Sequence, residues 1–322
     1  MLRAQLERDC SVFRAVAAVG DAWSWMVLRE AIFDDVSRFD EFQRRLGVAR
    51  STLTARLDQL VTSRLLERRG TDYVLTPSGE DFIGCVLTAM HWGDRWCAEG
   101  DAQPVGITHR GCGHAMHAQM ACAHCEKPIL ARDVTFDRTP DPVRRLDGSV
   151  RRNRMPALDL LERNRPCSIA RTLQVIGDLW SALIIQECFF GTHRFDDFQR
   201  RLSIASNILS QRLSRLTALG VVARAIRVGA RHTYQLTDKG LDLYPVPLAM
   251  LAWGDRWLAA GDPPIKLTHR VCGRRLHAVV TCSHCARPIT RADVETTTAV
   301  SGRSKGQRRS AHVKRSDSPS WN

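Results

Sequence analysis

Apolar positions in this chain fall into two stretches that match each other nearly position for position. Between Arg194 and Gly220, Phe195, Phe198 and Leu202 stand at i, i+3 and i+7; beyond the turn Ser203-Ile204-Ala205, Leu209, Leu213 and Leu216 stand at i, i+4 and i+7. Each spacing puts its apolar residues on one face of a short helix, with Ser206-Asn207 as N-cap chemistry and Gly220 as the stop. Between Arg38 and Leu66 the pattern recurs with Phe39, Phe42 and Leu46, then Leu53, Leu57 and Leu60. Two short amphipathic helices joined by a tight link, present twice, predict two helix-turn-helix units.

The repeat extends in both directions. Upstream, CSVFRAVAAVGDAWSWMVLREAIF from Cys10 returns as CSIARTLQVIGDLWSALIIQECFF from Cys167, predicting two helices separated at Gly-Asp ahead of each unit. Downstream, Val222 to Arg231 alternates, turns at Gly229 and returns through Thr233 to Thr237, a β-hairpin signature. Copy one has a hairpin five residues shorter, Leu66–Arg69 and Tyr73–Thr76 about Gly70. A hairpin after a helix-turn-helix is a wing, placing Arg227, Arg231 and His232 along a DNA backbone or minor groove. The shorter wing keeps Arg68 and Arg69, predicting a weaker grip. A long helix is predicted over residues 77–99 and again over 238–260, each ending in WGDRW, with Trp92 and Trp96, or Trp253 and Trp257, on one face for core or subunit packing, an aromatic ligand pocket being the other reading.

While the apolar stripes repeat, the opposite faces of the second helices differ: Ser206, Asn207, Ser210, Gln211, Ser214 and Arg215 in one, Arg50, Ser51, Thr54, Ala55 and Asp58 in the other. Small hydrogen-bonding groups on the N-terminal half of a helix have the chemistry to contact base edges.

The order Cys, helix, G-D-x-W, R-F-[DE]-x-F-Q-R-R-L, a helix containing R-L, a wing ending Y-x-L-T and a tryptophan-rich helix resembles the HxlR-type winged helix-turn-helix transcriptional regulators, over residues 10–98 and 167–259. The resemblance implies binding to palindromic operator DNA as a dimer paired through terminal helices. It makes Ser206, Asn207, Ser210 and Gln211, with Arg50, Ser51 and Thr54, candidate base readers, and Arg56 and Arg212 candidate phosphate clamps. Pro245 and Pro247 depart from the pattern and bear on dimer packing by the second terminal helix.

Composition and cysteine spacing add two features. The net charge of +13 and pI of about 9.7 suit a polyanionic partner. Much of the excess lies in residues 135–166 and 295–322, so charge supports the DNA reading without carrying it. Each copy also has His-x2-Cys followed, after nine intervening residues, by Cys-x2-Cys: His109, Cys112, Cys122 and Cys125, then His269, Cys272, Cys282 and Cys285. Paired knuckles of thiolate and imidazole predict a closed structural Zn²⁺ site in each copy. His117 and His277, or His124 and His284, recur as alternative nitrogen ligands.

Cys10 and Cys167 occupy matching positions, with Arg8 and Arg14 or Arg171 nearby, and are candidate redox sensors; buried inert thiols are the other reading. With no long apolar run and a charged N-terminus, MLRAQLERDC, the expected location is cytoplasmic, without membrane association.

The expected fold is mainly α with small β-hairpin wings, an α+β chain of two winged helix-turn-helix domains, each followed by a Cys/His zinc-knuckle-like segment. The expected boundaries are 1–100 and 101–134, an Arg/Pro-rich linker at 135–166, then 167–260, 261–294 and a disordered basic tail at 295–322. The expected function is sequence-specific binding of an imperfect palindrome in double-stranded DNA by a covalent pseudo-dimer, repressing by promoter occlusion, with self-association through the tryptophan-rich helices. A redox-switched regulator, a protein-interaction module and a metal or redox enzyme are the other classes. Closed ligand sets and the absence of a phosphate-binding glycine loop argue against the enzyme.

Overall fold

A computed structural model describes residues 11–97, 104–138, 155–226, 232–259, 263 and 265–298. Copy one begins with α1 (Ser11–Val19), α2 (Ala22–Asp34), α3 (Phe39–Leu46) and α4 (Arg50–Thr62). The wing β1 (Leu66–Arg69) and β2 (Asp72–Leu75) precedes α5 (Pro77–Asp81) and α6 (Ile83–Cys97). Then come β3 (Val105–His109), β4 (His114–Ala115), β5 (Ala118–Cys122) and β6 (Val134–Arg138). A helical turn, α7 (Leu158–Leu161), leads into copy two: α8 (Ser168–Ile176), α9 (Leu179–Phe189), α10 (Phe195–Leu202) and α11 (Ser206–Ala218). Its wing is β7 (Val222–Ile226) and β8 (His232–Leu236), followed by α12 (Asp238–Leu241) and α13 (Pro245–Trp257). The strands β9 (Ile265–His269), β10 (Arg274–Arg275), β11 (Ala278–Cys282) and β12 (Val294–Thr298) complete it.

The winged helices form where the apolar pattern places them. Phe42, Leu46, Leu53, Leu57 and Leu60 are buried in copy one, as are Phe198, Leu202, Leu209, Leu213 and Leu216 in copy two. Each such side chain contributes about 1.5–3 kcal/mol by leaving water. The Asp of Gly-Asp caps the next helix: Asp21 accepts from the N–H groups of Trp23 and Ser24, and Asp178 from that of Ser181. Antiparallel pairing of Leu66 with Leu75 and of Val222 with Leu236 closes the wings onto the helices.

Each long terminal helix is broken, contrary to the unbroken helices expected over 77–99 and 238–260. Thr76 caps α5 by accepting from Gly79, and Thr237 caps α12 by accepting from Gly240; a second helix then starts at Ile83 or Pro245. Pro245 and Pro247 lie in the first turn of α13, where a missing N–H breaks no intrahelical bond. Packing of this helix is intact: α13 lies along α1, and α6 along α8, so each terminal helix docks on the other copy.

The WGDRW motif makes this docking. Trp92 Nε1 donates to the Lys239 carbonyl at 3.0 Å and Trp96 Nε1 to Asp242 at 2.6 Å. In the mirrored contact, Trp253 donates to the Ser78 carbonyl at 2.8 Å and Trp257 to Asp81 at 2.7 Å. Arg95 pairs with Asp242, and Arg256 with Asp81. Asp94 accepts from Ser168. The glycine permits the approach, since a Cβ on Gly93 would stand 2.0 Å from the Ser168 carbonyl oxygen and one on Gly254 2.4 Å from that of Ser11.

The small sheets are also exchanged between copies. Strand β3 pairs with its own β4 and with β12 of copy two, while β9 pairs with β10 and with β6 of copy one. Strands β5 and β11 pair antiparallel, with Met120 opposite Val280 at the pseudo-two-fold centre. Strands β6 and β12 thus extend the ordered segments beyond the expected limits at 134 and 294. The end of the expected linker is docked too: Asn164 Nδ2 donates to the Arg45 carbonyl at 2.6 Å, and Arg165 bonds Glu30 and Asp34, each at 2.7 Å.

Candidate nucleic-acid interface and metal centres

Helices α4 and α11 bury one leucine stripe each and leave the opposite face to solvent. Ser51, Thr54, Ser206, Asn207, Ser210 and Gln211 are exposed. Arg50 is also exposed; it pairs with Asp40 at 3.5 Å and lies over the Phe39 ring at 4.6 Å. Of the wing residues, Arg68, Arg69 and His232 are exposed, whereas Arg227 and Arg231 lie outside the described residues. Arg68 Nε donates to the Gly70 carbonyl at 3.2 Å, and Arg69 pairs with Glu67.

Three basic residues expected to contact DNA are turned toward the protein. Arg56 grips the Asp21 cap, with Nε 2.8 Å from Oδ1 and Nη2 2.5 Å from Oδ2. Arg212 Nε donates to Asp178 at 2.9 Å, the equivalent contact in copy two. Arg215 Nη2 donates to the Gln174 carbonyl at 2.8 Å. The first two tie α4 or α11 to the capped start of α2 or α9, which satisfies a guanidinium and a carboxylate that are both largely buried. Sequence separation hid this pairing, although Asp in each Gly-Asp and Arg in each helix were both visible as repeats.

The eight metal-ligand candidates form two clusters, but not the two expected. His109 and Cys112 of copy one meet Cys282 and Cys285 of copy two, and Cys122 and Cys125 of copy one meet His269 and Cys272 of copy two. Each site is built across the repeats, which corrects the expectation of one site within each copy. The cause is strand exchange: β5 on β11 carries Cys122 and Cys282 to opposite ends of the paired strands, each beside the other copy's His-x2-Cys knuckle. The ligand types and spacings of the two copies are identical, so spacing alone cannot distinguish a site within a copy from one between copies.

Both clusters have the form of a tetrahedral site. Ligand atoms within each lie within 4.8 Å of one another. His109 Nδ1 is 3.3 Å from Cys112 Sγ and 3.2 Å from Cys285 Sγ; His269 Nδ1 is 3.3 Å from Cys125 Sγ and 3.5 Å from Cys272 Sγ. A tetrahedral zinc with ordinary Zn–S and Zn–N bonds separates nitrogen from sulfur by about 3.5 Å. His109, His269, Cys122 and Cys282 are buried, and the other four cysteines half-buried. His269 Nε2 is buried without a hydrogen-bond partner. His117, His277, His124 and His284 stand outside both four-ligand clusters.

The knuckles are closed by residues in the left-handed region: Gly113, Gly273, Glu126 and Ala286, at φ +70°, +67°, +59° and +58°. Their turns aim backbone N–H groups at sulfur, as His284 does at Cys282 Sγ, 3.4 Å away. The Arg287 N–H holds the Cys285 thiol below its ordinary range, with help from Cys112 and Arg287's charge, against burial that raises it. The Cys112 thiol is pushed up: the His114 N–H pulls it down, but burial and the facing thiols of Cys285 and Cys282 prevail.

Of the two sensing candidates, Cys10 lies outside the described residues. Cys167 is buried and lines one cavity with Arg29, whose guanidinium is itself buried against Glu30. Gln186 takes the place of Arg29 in copy two. Among the described residues, no single helix is long and apolar enough to cross a membrane.

Comparison with known proteins adds the family relation. The model of the HxlR-like helix-turn-helix family matches twice, at residues 18–101 and 175–262. An uncharacterized HTH-type transcriptional regulator of Mycobacterium tuberculosis, MT3179, is 38% identical over 143 residues, 44% of this chain and 90% of that protein. The uncharacterized HTH-type transcriptional regulator YybR of Bacillus subtilis is 35% identical over 92 residues, 28% of this chain and 74% of its own length. The crystal structure of PA1607 is 35% identical, covering 41% of this chain and 94% of its own, with a TM-score of 0.38.

Proposed function

Because the chain belongs to the HxlR-like helix-turn-helix family and is a transcriptional regulator with two DNA-binding units, we propose that it acts as a covalent pseudo-dimer on an operator with two unequal half-sites. The observation that carries this reading is the pair of solvent-facing surfaces on α4 and α11, which share a scaffold and differ in chemistry. Arg50, Ser51 and Thr54 read one half-site, and Ser206, Asn207, Ser210 and Gln211 the other. Arg68, Arg69 and His232, with Arg227 and Arg231, contact the backbone beside them. Arg56 and Arg212 act instead by fixing the angle of the reading helices through Asp21 and Asp178. The protein works in the cytoplasm, where it represses by occluding a promoter.

The two Cys3His clusters hold Zn²⁺, since their donor set and nitrogen–sulfur separations suit that ion and four protein ligands leave no open position. Selection of genomic fragments by the zinc-loaded protein, with competitor DNA near physiological salt, tests the whole reading. Footprints should cover two unlike half-sites about one helical turn, ~34–36 Å, apart. Enrichment of random sequence alone would replace the regulator by an interaction module.

A second reading rests on Cys167, which lines a cavity together with Arg29: oxidation or alkylation of this thiol switches DNA binding. Cys167→Ser would then remove the response to a thiol oxidant while leaving binding under reducing conditions intact.

A further inference from the structure

We propose that zinc clasps the two repeats together, each ion bridging copy one to copy two, so that metal loading and the docking of the two DNA-reading halves form one linked equilibrium. This rests on the zinc and pseudo-dimer readings above and goes beyond them in assigning each ion to both copies. Each site takes a His-x2-Cys knuckle from one copy and a Cys-x2-Cys knuckle from the other.

Three independent features of the fold converge on the arrangement. The β5–β11 ladder joins the copies between the sites, with Cys282 opposite Ala118 and Cys122 opposite Ala278. Each knuckle turn is bonded to the other copy: the Arg110 N–H donates to the Asp293 carbonyl and the Arg270 N–H to that of Asp133, both at 2.8 Å, while the Ala123 N–H donates to the His277 carbonyl at 2.8 Å. Strand β12 completes the sheet of β3, the strand that carries His109, and β6 completes that of β9, which carries His269. Ligands supplied by two copies bind together only when the copies are docked. An ion that binds the docked form and not the separated one stabilises docking by its binding free energy.

Thermodynamic linkage then predicts a difference between DNA targets. A half-site needs one winged helix, but a complete operator benefits from two heads held at fixed spacing, which raises the effective concentration of the second. Zinc should therefore strengthen binding to the complete operator far more than to an isolated half-site.

Zinc counting in full-length paired variants tests the ligand assignment. Wild type should hold two zinc ions per chain. Cys122→Ser alone halves this whether the sites lie within or between copies. Cys112→Ser with Cys285→Ser should retain one ion, and Cys112→Ser with Cys125→Ser none. The reverse pattern would overturn the clasp while leaving zinc binding intact, whereas wild type without zinc would overturn the zinc reading itself.

A mutation-free measurement covers variants that fail to fold. A diazene oxidant added to the zinc-loaded protein takes two electrons from a pair of cluster thiolates and two protons from solvent, forming a disulfide and the corresponding hydrazine and releasing the ion. Peptide mapping should find Cys112 joined to Cys282 or Cys285, and Cys272 joined to Cys122 or Cys125. Cys112 joined to Cys122 or Cys125, with Cys272 joined to Cys282 or Cys285, would overturn the proposal; a Cys122–Cys125 or Cys282–Cys285 bond fits either arrangement and is not scored. On DNA, chelation should weaken complete-operator binding about tenfold or more with little change on a half-site; equal losses on both would count against the linkage.

Discussion

Trp96 and Asp242 stand 146 residues apart in sequence and share a 2.6 Å hydrogen bond. The same bond is made in reverse by Trp257 and Asp81. Replacing Trp96 by Phe removes the donor and keeps most of the ring, so it should cost about 1–2 kcal/mol in urea unfolding. Gly93→Ala drives a Cβ against the Ser168 carbonyl and should cost about 3 kcal/mol in the same measurement.

Arg56 and Asp21 offer a sharper separation of roles. Arg56→Ala leaves a buried carboxylate without its guanidinium and should lower stability by about 3 kcal/mol along with DNA affinity. Ser210→Ala should leave unfolding unchanged. If Arg56→Ala instead reduced DNA affinity alone, with an unchanged urea midpoint, its main role would be at the phosphate.

The two reading faces should fail separately. Asn207→Ala or Gln211→Ala should relax specificity in one half-site, and Arg50→Ala in the other, by about 1–3 kcal/mol for each lost base contact. Binding-site selection with each variant checks this. Both half-sites changing together would mean that the halves do not read DNA independently.

His91 gives the fold an acid-sensitive component. Burial, the stacked ring of His117 and the charge of Arg95 lower its pKa to about 4, although Asp242 acts in the opposite direction. Its unfolded pKa is about 6.5. Between these values the unfolded chain binds the proton more readily, so this contribution to stability is present above about 6.5 and is lost as pH falls toward about 4. His91→Gln should flatten the pH dependence of the urea midpoint in that window. His117 is also lowered by burial and Arg95, so the double variant should flatten it further.

Most of the winged-helix architecture was legible because its signals are local. Phe42 and Leu46 stand at helical spacing, as do Leu53 and Leu57, and the alternation in Val222–Ile226 announces a strand. The exact cap was less legible: Ser206-Asn207 has good capping chemistry, yet Ala205 occupies the N-cap position of α11, and Asn207 accepts from the neighbouring Ile208 N–H. The sequence also identified residues suited to metal ligation, but two identical spacings cannot state which His-x2-Cys meets which Cys-x2-Cys. That information lies in long-range strand pairing. Likewise, the breaks in the terminal helices arise because Thr76 and Thr237 cap separate short turns before α6 and α13 begin. Periodicity alone joins these segments.

The pairing of Met120 with Val280 puts two versions of one structural unit around a common centre while leaving each version with its own codons. In a dimer of identical chains, a mutation that alters one reading head alters its partner as well. On the two-part operator proposed above, Ser51 could change while Asn207 stays as it is, so that one half of the target would drift under selection without forcing the other to follow. Duplication inside a single chain thus turns a symmetric constraint into two separately adjustable inputs.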